Sequence, residues 1–265
     1  VNQKIAQIKK RLSEWSAKRL DKQIVRLPSA LWIAEDQNTI EQNIRLMDAT
    51  DKAKQDLGVM VRPQDDGRAT LLSVYTKDEP GAFARIAGGL AASGGSIVDA
   101  KVFTTKDGMI LDNILFQTPR SEAVVMAETL SHIQATVTVA LATDVDQIKG
   151  IRRQVINQRI SDKYLTVEPF IVIDNKASKN YTVVEINARD RTGLIFDLSR
   201  VFFERGIAIH SAHVATFGER AVDVFYIHDG EGKKITHGAS VKALENRLLA
   251  ATELNPQFLG TDDSG

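Results

Sequence analysis

The apolar positions at the start of the chain fall at helical spacing. Ile5, Ile8, Leu12 and Trp15 recur every three or four residues among Lys and Arg, which predicts an amphipathic helix. A second run, Ile40, Ile44 and Met47, comes after Asp36-Gln37-Asn38-Thr39, whose short polar side chains suit a helix start. Each helix carries an apolar face that must be covered, by docking on its own chain or on a neighbour outside it. After the turn-rich Arg62-Pro63-Gln64-Asp65-Asp66-Gly67 the pattern shortens to that of strands.

From this turn onward the chain repeats itself. The run Val74-Tyr75-Thr76-Lys77-Asp78-Glu79-Pro80-Gly81-Ala82-Phe83 answers to Ile186-Asn187-Ala188-Arg189-Asp190-Arg191-Thr192-Gly193-Leu194-Ile195. Gly94 and Gly206, Ile97 and Ile209, Ala100 and Ala212, Thr104 and Thr216 keep the same offset of 112, and Asp112 pairs with Asp223 at 111 after one deletion in a turn. Agreement held across several elements marks a duplicated domain.

Each copy reads as a strand, an Asp-x-x-Gly turn, then a helix with one apolar stripe: Phe83, Ile86, Ala87, Leu90 and Ala91 in the first, Ile195, Leu198, Phe202 and Phe203 in the second. Gly94-Gly95 and Gly206 suit a helix stop. Strands are predicted at Ile97 to Thr104 and Ile209 to Thr216, then at Met109 to Phe116 and Ala221 to Ile227. This is the first two-thirds of a ferredoxin-like β-α-β-β-α-β unit. For the first copy, a helix within 123–151 and a last strand at Leu165 to Ile173 would complete it; for the second, Val241 to Leu249 supplies a helix, but no last strand is visible before Gly265. The expected fold is α+β, two ferredoxin-like βαββαβ domains after a helical segment, with boundaries at 1–64, 65–178, 179–256 and a tail at 257–265.

Charge and composition bear on function. Lys plus Arg number 34 and Asp plus Glu number 34, so no basic excess draws the chain to nucleic acid or to an anionic membrane. The absence of cysteine excludes disulfides, thiol catalysis and cysteine-ligated metals, and fits a cytoplasmic setting. There is neither an eighteen-residue apolar run nor a signal-peptide layout. Val1 opening directly into a helical pattern reads as a cut through a longer protein. His210 and His213, three apart on one strand, are expected on opposite faces and unable to share a metal.

The Asp-x-Pro-Gly turn opening an amphipathic helix, with Gly-x-x-Ile leading the next strand, resembles the ACT domain. The runs Ile97 to Met109 and Ser211 to Tyr226, together with Val167-Glu168-Pro169 and Asp174-Asn175-Lys176-Ala177-Ser178, closely resemble the carboxy-terminal ACT tandem of the bifunctional PII uridylyltransferase/uridylyl-removing enzymes. The resemblance implies a glutamine-sensing regulatory region that controls nitrogen metabolism. It also implies PII as a partner through the full-length enzyme, and a homodimer is possible through ACT pairing. No cofactor is expected in this chain, magnesium being needed only by the family's catalytic domains. Neither catalytic signature is present: Gly95-Ser96 lacks the Asp-x-Asp that should come after it, since Met109 stands two residues after Asp107, and the sole adjacent His-Asp pair, His228-Asp229, has no supporting His cluster. The competing reading is an ACT-repeat interaction module with no metabolite ligand.

A free amino acid presents a carboxylate beside an ammonium, and its receptor needs both signs. Helix-start amides at Gly81, Ala82 and Phe83, or at Gly193, Leu194 and Ile195, favour the carboxylate or a side-chain carbonyl. Asp78 or Asp190 could take the ammonium, or could be plain helix caps. Ser96 and Ile97, at the start of the second strand, complete the candidate site, with Ser96 expected to assist the first motif; Ser96 is equally readable as a turn serine. Thr192 in place of Pro80, and Ala208 in place of Ser96, predict that the two copies differ.

Overall fold

A computed structural model describes residues 1–64, 69–118, 127–145 and 167–253. Four helices lead: α1 (Asn2–Arg11), α2 (Ala17–Ile24), α3 (Ser29–Ala34) and α4 (Gln37–Ala53). Asp36 starts α4 by accepting from the Thr39 amide and hydroxyl, each at 2.9 Å. The apolar faces expected from the spacing converge. Ile8, Leu12, Ile40, Ile44 and Met47 are fully buried, and the cluster they belong to includes Tyr75, Phe103 and Leu111 of the next domain.

The first repeat comprises β1 (Leu57–Pro63), β2 (Thr70–Lys77), α5 (Ala82–Ala92), β3 (Ser96–Lys101), β4 (Met109–Gln117) and α6 (Ala127–Leu141). The second comprises β5 (Phe170–Asp174), β6 (Thr182–Arg189), α7 (Leu194–Glu204), β7 (Ala208–Phe217), β8 (Arg220–His228) and α8 (Gly238–Thr252). Each copy builds a four-stranded antiparallel sheet, ordered β1-β2-β4-β3 and β5-β6-β8-β7. The α+β class and the two ACT-type units are therefore as the repeat predicts.

The last strand is not where the linear unit puts it. Of the run at Leu165 to Ile173 expected to close the first copy, residues 170–173 lie in β5, which pairs with β6 of the second copy. The first sheet is closed instead by β1, from residues the sequence pattern assigns to the helical segment. Both copies thus fill the edge beside their first motif strand with a strand that precedes it. In the first copy a connection of six residues joins the two in a hairpin, and a short closure has a lower entropic cost than a long one. The missing last strand of the second copy is β5.

Two layers result, and one core runs through both copies: Leu72, Ile86, Leu90, Ile114 and Phe116 are continuous with Ile186, Leu198, Phe202, Phe225 and Leu248. Edge strand β3 lies against edge strand β7, and α5 against α7. The copies sit side by side, while their hydrogen-bond ladders remain those of two separate four-stranded sheets. The lead helices cover the outer face of the first sheet only. Polar groups pin them there: Arg26 reaches Asp107 at 2.7 Å and Asp51 at 2.9 Å, and Glu35 meets Lys101 at 3.2 Å and the Asn113 amide at 3.1 Å.

Candidate functional site

The side-by-side packing brings the Asp-x-x-Gly loop of each copy against the opening of the second motif strand of the other. Asp78, Gly81, Ala82 and Phe83 line an open cavity of about 520 Å³, whose far wall is Phe203, Ile207, Ala208 and Ile209. Asp190, Gly193, Leu194 and Ile195 line the related site with Ser96 and Ile97, where only about 10 Å³ remains. All ten candidate residues therefore meet at the seam, six in one place and four in the other. One assignment changes. Ser96 stands by the second motif, across the seam, because the strand of one copy faces the loop of its neighbour; the first motif faces Ala208.

The loops themselves are alike. Gly81 and Gly193 occupy the N-cap positions at φ of 78° and 83°, a conformation other residues adopt only with strain, and no side chain caps either helix. The helix-cap reading of Asp78 and Asp190 is thereby removed. The Ala82 and Leu194 amides turn back onto the carbonyls of Glu79 and Arg191, each at 3.1 Å. They are not available to a ligand, which leaves Gly81 and Phe83 as the first-turn donors in the open site.

Two further carboxylates belong to the site although the motif reading passes over them. Asp112 and Asp223 are fully buried in the inward register of β4 and β8, and neither has a side-chain partner at either oxygen among the described residues, the Phe103 and Ala215 amides being the donors that act on them. Asp112 lines the open cavity and Asp223 the closed one. Burial pushes the Asp112 carboxyl well above the usual carboxylate range, nearby Asp78 adds to this, and the field of the Phe103 amide offsets it in part. The same causes, with Asp190 as neighbour and the Ala215 amide opposing, raise Asp223 to about 7. Strand alternation was signal enough. Ile110, Asp112, Ile114 and Phe116 all point inward, and an acid in such a row is out of place unless it has work to do.

The second site is closed by named substitutions. Arg191, where the first copy has Glu79, reaches inward to Asp197 at 2.6 Å and to the Ala251 carbonyl at 2.8 Å; burial lowers its guanidinium to about 10. Phe196 stands in place of Ala84, and the small Ala87, Ala91 and Gly95 let the opposite wall approach. In the first site the sizes are reversed: Ala84 lies on the loop side, and Phe203 and Ile207 hold the wall away. Glu79 stays at the surface beside Arg85, at 3.1 Å.

His210 departs from its expected position. A bulge between Ile209 and Ser211 resets the strand alternation, so spacing alone no longer separates it from His213; His210 stacks on Tyr181 at 4.0 Å and His213 meets the Tyr226 ring edge-on at 6.1 Å. Among the described residues no group of three His, Asp or Glu is placed to hold a metal ion, and no helix is long and apolar enough to cross a membrane.

Fold and seam define a tandem of ACT domains. Residues 70–137 match the ACT domain, and residues 170–256 match the ACR9-like, ACT-like domain. The chain belongs to the carboxy-terminal, tandem-ACT part of the bifunctional uridylyltransferase/uridylyl-removing enzyme family. The enzyme of Zymomonas mobilis subsp. mobilis is 37% identical over 243 residues, 91% of this chain and 26% of that protein. That of Novosphingobium aromaticivorans is 39% identical over 227 residues, 86% of this chain and 25% of that protein. The chain thus spans about a quarter of the length of the curated relatives it matches.

Proposed function

We propose that this regulatory region senses glutamine, bound in the seam cavity between Asp78–Phe83 of the first copy and Ile207–Ile209 of the second. The observation that carries this reading is a cavity of about 520 Å³ holding both signs an amino acid needs: helix-start amides for its carboxylate and buried acid for its ammonium. A ligand there touches both copies, so its binding energy acts on how they pack. In the full-length protein the occupied seam would report nitrogen status to a uridylyl-transferring and uridylyl-removing enzyme acting on PII. Neutral glutamine suits an acid-lined pocket better than glutamate does.

A second reading, an interaction module, is favoured by the outer face of the second sheet, which no described helix covers at Phe170, Val172 and Phe217, 42%, 46% and 69% exposed. Calorimetric titration of the chain with glutamine and with glutamate separates the two. Glutamine is expected to bind at the seam with a stoichiometry near one per chain, and glutamate far more weakly. If no amino acid gives heat at millimolar concentration, the sensing reading fails and the interaction module takes its place.

A further inference from the structure

We propose that Asp112 is the receptor for the ligand's ammonium group, and that binding there releases a proton. The inference rests on the seam cavity being an amino-acid site.

Asp112 differs from the other acids near the cavity in its surroundings. Glu79, on the loop, is engaged by Arg85. Asp78 lies at the exposed rim. His228, at the end of β8, lines the opposite side and turns its Nδ1 to the Asp229 carbonyl at 2.7 Å. Asp112 is on the floor, completely buried, with no side-chain partner and no donor but the Phe103 amide acting on it among the described residues. An ionised carboxylate in that position is costly, so the empty site favours the neutral acid. An arriving ammonium supplies the missing counter-charge. The carboxyl O–H bond then breaks, the proton leaves to solvent, and the carboxylate accepts N–H bonds from the ligand. The balance is one ammonium and one carboxylic acid going to one ion pair and one free proton. Asp78 and Glu79 stay outside this exchange.

The pseudo-equivalent Asp223 makes the contrast. It is just as buried and unpartnered, but Phe196 and the inward Arg191 leave no room above it. The same acid in the same register thus serves a ligand in one copy and has nothing to receive in the other.

The test is titration calorimetry of the 265-residue chain at neutral pH, with glutamine and with its deamino analogue glutaramate, in buffers of different ionisation heat. Wild-type protein is expected to bind glutamine with net proton release, and to bind glutaramate about 30-fold or more weakly with none. Asp112→Asn, which mimics the neutral acid, should lose the same factor for glutamine and all proton release, while Asp78→Asn keeps the release. Equal binding of glutamine by wild type and Asp112→Asn, or tight binding of glutaramate by wild type, overturns the role of Asp112 and leaves the sensing reading intact. Absence of glutamine binding by wild type overturns both. The glutaramate arm needs no variant and stands even if Asp112→Asn does not fold.

Discussion

Phe203 of the second copy occupies the space a side chain on Gly81 of the first would need: a Cβ built there stands 2.7 Å from Phe203 Cδ2 and 3.1 Å from Val145 Cγ2. The glycine of the ligand loop is thus also a contact across the seam. Its positive φ makes the demand twofold.

Gly81→Ala should therefore destabilise the chain by about 2–4 kcal/mol, combining a left-handed backbone with overpacking against Phe203. The same change should abolish any glutamine-induced rise in melting temperature, since it pushes the seam apart. A melting curve unchanged from wild type would contradict the packing described.

Glutamine itself should raise the melting temperature. A ligand that binds only the folded state at a hundred times its dissociation constant stabilises by about 2.7 kcal/mol. For a chain of this length that shift is a few degrees, readily resolved by scanning calorimetry.

Asp223 gives the fold a pH dependence. Its carboxyl titrates near 3.8 when unfolded and at about 7 when folded, so the folded state holds the extra proton between those values. The stabilisation is fully present below the lower value and is lost as pH rises through the upper one, amounting to something on the order of 4 kcal/mol. Asp223→Asn should flatten this slope. Urea denaturation of both proteins across the window measures it directly.

Arg26 holds the helical lead to the first ACT domain through Asp107 and the Tyr75 hydroxyl, and ties itself to α4 through Asp51, with only 12% of its side chain exposed. Arg26→Ala should cost about 1–2 kcal/mol by removing the charge-assisted hydrogen bonds to Asp107 and Asp51, Asp51 keeping Lys22 at 2.9 Å and Gln23 at 3.2 Å. Because this cluster is remote from the seam cavity, glutamine affinity should be unaffected. Hydrogen exchange should quicken in α2, between residues 17 and 24.

Much of this architecture was legible because the chain states it twice. The offset of 112 located both loops, both motif helices and the strands after them, and the ten candidate residues do gather at one seam. What pattern could not supply was the partner of each surface. A strand such as β5 has the same alternation whichever sheet it joins, and Ser96 looks the same whether it assists its own loop or its neighbour's. The bulge beside His210 inserts one residue into a parity argument and cancels it. Asp112 and Asp223 were in plain view, two acids in rows of inward apolar residues, but their meaning depends on a cavity that only the pairing of copies creates.

The position of β1 and β5 ahead of their domains changes what counts as one copy. Shifted by the repeat offset, Leu57–Pro63 falls on residues 169–175, which contain β5, and the register Val59 opposite Val74 becomes Ile171 opposite Ile186. The block that was duplicated in ancestry therefore began with its edge strand, and any excision of the second half has to begin there too. A gene fragment starting at residue 179 would encode a sheet whose β6 edge is bare and ready to capture a strand from another molecule. One starting at residue 167 would bring its own cover.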